Sequence, residues 1–219
     1  MIAKTNLTIL PQGENNSINT NKPIYMKPLF ILLLPVLITV NTTAQSWTKQ
    51  YDFVDDCICG LAKVSKNNKF GYVNNKGDLI VPLIYDEAFA FSEGRAPVRV
   101  DTKWGYLDST GKMVIEPMYE EAGSFREGFA CVRKNNHFGY IDTNYHLMIP
   151  FEFDMARGFA EGLAPVSNSK GLWGYINKKG DLVMNYKFNF ADLFADGKAR
   201  VMLNGKMIMI DKNGKETNE

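Results

Sequence analysis

Histidine is almost missing from this chain. His137 and His146 are the only two. They sit in different segments among polar neighbours, whereas a metal centre needs several converging ligands. A Ser–His–acid triad has equally little to draw on, and neither Gly-x-Ser-x-Gly nor a phosphate-binding loop occurs. Cysteine is scarce too. Cys57, Cys59 and Cys131 are an odd number, which excludes a fully paired disulfide framework, and none has a neighbouring base to activate it. Charge of one sign is also lacking, since 25 Lys and Arg face 24 Asp and Glu. The resulting net charge of +1 creates no field that would recruit nucleic acid or an anionic membrane. The longest apolar stretch, residues 28–40, falls short of the ~20 residues that a bilayer-spanning helix needs.

What the chain has instead is repetition. A first motif reads Phe91-Ser-Glu-Gly-Arg-Ala96, Phe125-Arg-Glu-Gly-Phe-Ala130, Phe159-Ala-Glu-Gly-Leu-Ala164 and Phe194-Ala-Asp-Gly-Lys-Ala199. A second, aromatic-Gly-Tyr, follows the first three as Trp104-Gly-Tyr106, Phe138-Gly-Tyr140 and Trp173-Gly-Tyr175. The first-motif glycines Gly60, Gly94, Gly128, Gly162 and Gly197 are 34 residues apart, with one step of 35. Self-similarity at such a period marks a repeat architecture, in which each unit buries its apolar face against the next. The one-residue insertion falls in residues 167–172, a polar, Gly-containing stretch that reads as a loop.

Within a unit the pattern predicts three short strands: Ala-x-Val, aromatic-Gly-Tyr-x-Asp, and a run such as Met113-Val-Ile115. Gly77, Gly111, Gly180 and Gly214 supply the left-handed residue of the reversal before the third strand. Tyr145 replaces that glycine in the third unit, so Asn144 is expected to take the left-handed conformation there. The recurring Phe91, Phe125, Phe159 and Phe194, with Tyr72, Tyr106, Tyr140 and Tyr175, read as a repeated core. Small residues at the Ala and Gly positions let backbones or rings approach closely. The acids Glu93, Glu127, Glu161 and Asp196 beside the turn glycines read as turn chemistry. Phe70, Trp104, Phe138 and Trp173 stand apart, because one more aromatic per unit is more than thin units readily bury. They are the candidate binding residues, with core packing as the other reading.

Taken together, Phe-x-Glu-Gly-x-Ala, Trp-Gly-Tyr-Ile-Asp, Gly-x-Val-Ile and Tyr-Asp, in that order, resemble the WG repeat of bacterial proteins. Phe70 and Phe138 replace Trp in two of the four full units, and the last unit reads Met207-Ile-Met-Ile-Asp211 instead. The resemblance implies a β-rich repeat protein, often exported, and carries no catalytic residue over to this chain.

The expected fold is therefore all-β, an array of about five 34-residue units. Residues 53–86, 87–120, 121–154 and 155–189 are full units, and 47–52 and 190–214 are partial ones. Residues 47–52 align with the end of a unit, and the last unit is expected to lack its third strand. An open, solenoid-like spiral is preferred over a closed, propeller-like ring completed by an N-terminal strand. Residues 1–25 carry no fold signal and read as a leader or a mis-assigned start. Residues 26–44 have the basic start, short apolar run and small-residue site of a signal peptide cleaved after Ala44, with an uncleaved anchor as the alternative. Cys57 occupies a phenylalanine slot and reads as a small core hydrophobe. A Cys57–Cys59 bond would be strained, so no structural disulfide is expected. The functional expectation is a non-catalytic interaction module of the envelope or extracellular space. Its partner would be a protein or a surface glycan, without cofactor or metal; an envelope hydrolase or a purely structural spacer are the alternatives.

Overall fold

The computed structural model describes residues 46–217; the leader, the signal segment and its cleavage point lie outside the described residues. Five antiparallel sheets follow one another along the chain, each of four strands. The first holds β1 (Phe53–Ile58), β2 (Leu61–Lys66), β3 (Lys69–Asn74) and β4 (Leu79–Tyr85). The second holds β5 (Glu87–Ala88), β6 (Arg95–Val100), β7 (Lys103–Asp108) and β8 (Met113–Tyr119). The third holds β9 (Glu121–Ala122), β10 (Phe129–Lys134), β11 (His137–Asp142) and β12 (Leu147–Phe153). The fourth holds β13 (Met155–Ala156), β14 (Leu163–Ser167), β15 (Trp173–Asn177) and β16 (Leu182–Phe188). The fifth holds β17 (Phe190–Ala191), β18 (Lys198–Leu203), β19 (Lys206–Asp211) and β20 (Glu216–Thr217). The count of three strands per unit is thus corrected to four. The added strand is a two-residue one, such as Glu87 and Ala88 pairing with Arg99 and Val98, too short to show any alternation. The last unit also has its closing strand, since Met209 and Ile210 pair with Thr217 and Glu216.

A repeated seam joins each sheet to the next. Tyr72 meets Phe91 at 4.9 Å between ring centroids, Tyr106 meets Phe125 at 5.3 Å, and Tyr140 and Tyr175 meet Phe159 and Phe194 at 5.0 Å. All four tyrosines are fully buried, so each hydroxyl needs a partner. Each finds one at the same place, donating to a backbone carbonyl 17 residues on: Phe89, Gly123, Arg157 and Asp192 at 2.7–2.8 Å. Burial pushes the hydroxyls of Tyr106 and Tyr140 well above the ordinary tyrosine range, so they stay protonated donors.

The aromatic-Gly glycines answer to backbone, not to rings. A Cβ on Gly71, Gly105, Gly139 or Gly174 would lie 2.4, 2.3, 2.7 or 2.4 Å from the carbonyl oxygen of Val81, Ile115, Ile149 or Met184. In each of these sheets the register slips on either side of the tyrosine, as between Trp104, Tyr106 and Leu107 against β8. The slip folds the partner strand's carbonyl over the glycine. In the fifth sheet β19 pairs with β20 without a slip, and Ile208 stands where the others need glycine.

Among the described residues, the sheets at both ends of the array keep large apolar side chains in water. Phe53 and Ile58 of β1 are 47% and 41% exposed, and Met207 of β19 is 42% exposed. No strand of the first sheet pairs with one of the fifth among the described residues. Residues 47–50 do not complete a ring. They belong to a 3-10 helix, Ser46–Gln50, and Trp47 packs on the first sheet beside Ala62, Val64 and Val73.

Candidate functional site

The four aromatic-Gly rings are held differently from an open ladder. Trp104, on β7, is 7% exposed and stacks on Phe89 at 5.1 Å. Phe138, on β11, is 5% exposed, with the Arg133 guanidinium 5.7 Å from its ring centre. Phe70 and Trp173 are half-buried. The Arg157 guanidinium covers Trp173 at 5.5 Å and Phe190 at 5.2 Å. Trp104 and Phe138 therefore keep almost no ring face for a ligand, because side chains from the same and neighbouring strands close over them.

The turn acids do more than terminate strands. Glu93, Glu127, Glu161 and Asp196 all have positive φ, between 50° and 53°, each followed by a glycine of positive φ. A left-handed conformation is costly for such residues. Three of the four gain a contact across the array in return. Glu93 accepts from the amide of Gly128 at 2.9 Å, Glu127 from Gly162 at 2.9 Å, and Glu161 from Gly197 at 3.1 Å. Each carboxylate thus caps the turn of the next unit, 35 or 36 residues away. Cations reinforce two of them: Lys178 lies 3.1 Å from Glu127 and Lys212 3.0 Å from Glu161. Burial pushes the Glu127 carboxyl up, but Lys178 and the Gly162 amide outweigh it and hold the acid below the ordinary glutamate range. Lys212 and the Gly197 amide do the same for Glu161.

A pH dependence follows from these two depressed values. Their contribution to stability is complete above the ordinary value of 4.5 and is lost as pH falls from there through the lower folded-state values. Thermal melts between neutral and acid pH should show a steeper loss for the native chain than for Glu127→Gln/Glu161→Gln. Parallel curves would mean that the carboxylates do not hold the units together.

Several non-repeating residues differ from expectation. Tyr145 itself takes the left-handed conformation at φ 69°, and Asn144 does not. Its ring lies 5.4 Å from the Arg95 guanidinium, whose Nε donates to the Tyr145 hydroxyl, and Asp142 fixes the turn by accepting from the amides of Asn144 and His146. Cys57 is exposed rather than buried, because its slot faces the end of the array, where no preceding sheet covers it among the described residues. Cys59 is exposed and Cys131 buried, and all three are free thiols. Glu120 accepts from the amides of Asn135 and Asn136 at 3.0 Å, Glu121 pairs with Arg133 at 2.9 Å, and Asp55 pairs with Lys63 at 3.2 Å. The paired acids are thus engaged in turns and strand edges. His137 and His146 lie at the surface beside Asp154 and Asp142. Among the described residues no three His, Cys, Asp or Glu side chains gather as a metal site.

The surface feature that does repeat is apolar. The last strand of each of the first four sheets is an edge strand, and in three of them its first two residues stand in water. Leu79 and Ile80 are 48% and 43% exposed, Leu147 and Met148 48% and 51%, and Leu182 and Val183 39% and 48%. In β8 the corresponding Met113 and Val114 are half-buried, and Met118 is the exposed residue. Sequence reasoning missed this stripe because apolar residues in a strand read as core. Doublets of apolar residues, breaking strict alternation, were its only signal.

Five four-stranded antiparallel sheets, joined in chain order by one repeated seam, define an all-β repeat protein. The profile of the WG containing repeat matches residues 70–104, 104–136, 138–170 and 173–206, and the chain belongs to that family. No curated protein matches it in sequence. Among solved structures it is similar to that of the eukaryotic initiation factor, at 8% identity and a TM-score of 0.53, over 77% of this chain and 53% of that one. It is also similar to Kluyveromyces lactis Hsv2p, at 11% identity and a TM-score of 0.48, over 75% and 62% of the two chains. BamB from Moraxella catarrhalis is similar at 11% identity and a TM-score of 0.43, over 73% and 60%. The chain spans less than two thirds of each of these structures.

Proposed function

We propose that this WG-repeat array is a non-catalytic docking module that holds a protein partner in the cell envelope or the extracellular space. The observation that carries the reading is the apolar doublet standing in water at the same place on β4, β12 and β16. Large apolar side chains repeated on an exposed face favour contact with another apolar surface. A repeat array offers several such places in register, which suits an extended partner. Stacking of a glycan would instead need open aromatic faces, and the rings of Trp104 and Phe138 are covered. The compartment rests on the signal-like residues 26–44.

The test is a pull-down with chemical crosslinking from an envelope extract, using the native chain, Leu147→Asp/Met148→Asp and Trp173→Ala. The native chain and Trp173→Ala should recover the same partner, crosslinked to the outer strands. The double variant should lose it while its circular dichroism spectrum is unchanged. Recovery by the double variant, or loss only with Trp173→Ala, would sink the reading and move the site to the aromatic-Gly positions.

A further inference from the structure

One acid recurs just past the outer strand of the first three sheets, as Asp86, Glu120 and Asp154. Asp86 accepts from the amide of Asp101 at 2.8 Å and pairs with Lys69 at 2.6 Å. Glu120 accepts from the amides of Asn135 and Asn136 at 3.0 Å and has Lys103 at 4.0 Å. Asp154 has neither kind of partner. The loop over residues 167–172, with its extra residue, closes on itself instead. There the side-chain carbonyl of Asn168 accepts from the amides of Lys170 and Leu172. His137 takes the place of Lys69 and Lys103, 3.6 Å from Asp154, and brings a charge only when protonated.

That loop helps to wall a cleft of about 420 Å³ between the third and fourth sheets, within the size range of ligand pockets. Glu152 lines it beside Asp154, at the position held by Ile84 in β4 and Met118 in β8. The two acids flank the buried Phe153, so both turn away from the core. The fourth sheet contributes Tyr186, half-buried, and Leu182, 39% exposed. Burial and the Glu152 charge push the Tyr186 hydroxyl above the ordinary tyrosine range. Among the described residues no lysine or arginine lines the cleft, and Glu152 forms no ion pair.

We infer that this cleft receives an arginine side chain of the protein partner. The inference rests on the docking reading and names a chemical feature of that same partner. An ammonium serves one acid, as that of Lys69 does for Asp86. A guanidinium is a planar fork that offers donors to two carboxylates and lies well on a ring such as that of Tyr186. Its aliphatic stem would cover Leu182 while its head meets Glu152 and Asp154. Leu182 also belongs to the exposed apolar stripe, so one extended segment can lie on the stripe and enter the cleft.

Amide-resolved NMR titration of the purified chain with acetyl-arginine amide tests the inference, with the uncharged isostere acetyl-citrulline amide as control. The arginine probe should shift Asn168, Ser169 and Tyr186 saturably, and the citrulline probe should not. Glu152→Gln and Asp154→Asn should each weaken binding by about tenfold, the scale of a lost hydrogen bond to a charged group. His137→Lys should weaken it too, because a lysine there would hold Asp154 as Lys69 holds Asp86. The first and second sheets already fold around a lysine at that position, and resonances remote from the cleft report whether each variant keeps the native fold. Lack of saturable shifts in the native chain, an equal response to citrulline, or native affinity in any of the three variants overturns the inference. Leu147→Asp/Met148→Asp should bind the probe as the native chain does, so loss of partner capture and loss of arginine binding are read separately.

Discussion

Gly105→Ala should destabilise the protein by about 3 kcal/mol or more. The added Cβ would sit 2.3 Å from the carbonyl oxygen of Ile115, 2.9 Å from the nitrogen of Pro117 and 3.0 Å from the carbonyl carbon of Glu116. All three are backbone atoms, so no side chain can swing aside. Nor can the strand drift away, since Trp104 pairs with Tyr119 on one side of the slip and Tyr106 with Ile115 on the other. Overpacking of a well-filled interior costs roughly 1–3 kcal/mol, occasionally more. A clash with fixed backbone belongs at about 3 kcal/mol or above, against a total stability of about 5–15 kcal/mol. Ile208, at the equivalent place in the fifth sheet, is the internal control: it already carries a Cβ there without a clash, so Ile208→Ala should cost only the packing of a half-buried side chain. Urea unfolding of both variants checks this, and a loss below about 1 kcal/mol for Gly105→Ala would show that the slip relaxes.

Tyr106→Ala should be nearly as damaging. The ring is fully buried, fills the seam against Phe125 and donates to the Gly123 carbonyl at 2.8 Å. Truncating a large buried aromatic costs about 3–5 kcal/mol. Tyr106→Phe keeps the ring and leaves one buried carbonyl without its donor, at about 1–3 kcal/mol. Met209 occupies the tyrosine position of the fifth sheet and is half-buried, so Met209→Ala should cost clearly less than Tyr106→Ala. Equal losses at the two positions would mean that the seam is not what joins the sheets.

Much of this fold was legible because the same constraint acts at intervals of 34 residues. A carbonyl pressed against Gly71, Gly105, Gly139 and Gly174 leaves a periodic glycine, and a seam of Tyr and Phe leaves periodic rings. Features that depend on an unrepeated neighbour were not legible. The two-residue strand recurs, but it too was hidden: Glu87 and Ala88 pair with residues twelve and ten positions ahead, Arg99 and Val98, with no local pattern of their own. Tyr145 adopts the left-handed conformation because Arg95, far off in sequence, holds its ring. Asn144 had only a local propensity to recommend it. Cys57 sits in a core slot by alignment and in solvent by position, because alignment does not reveal which unit lacks a neighbour. The roles of Glu93, Glu127 and Glu161 were half legible: the turn was evident beside its glycine, but the amide each acid caps lies one full unit away. The covering of Trp104 by Phe89 and of Trp173 by Arg157 depends on the one residue after each short strand, and that residue differs in every unit.

The seam also has a direction in time. Each tyrosine donates to a carbonyl 17 residues ahead, and each glutamate waits for an amide 35 or 36 residues ahead. A ribosome or an export channel delivers the chain from its N-terminus, so a sheet that has just emerged cannot finish its own contacts. It must stand with an unanswered hydroxyl and carboxylate until the following unit has come through. Folding would then advance as a front that trails synthesis by about one unit. The fifth sheet, with Met209 in place of the tyrosine and Ile208 in place of the glycine, asks nothing of a successor and brings that front to rest.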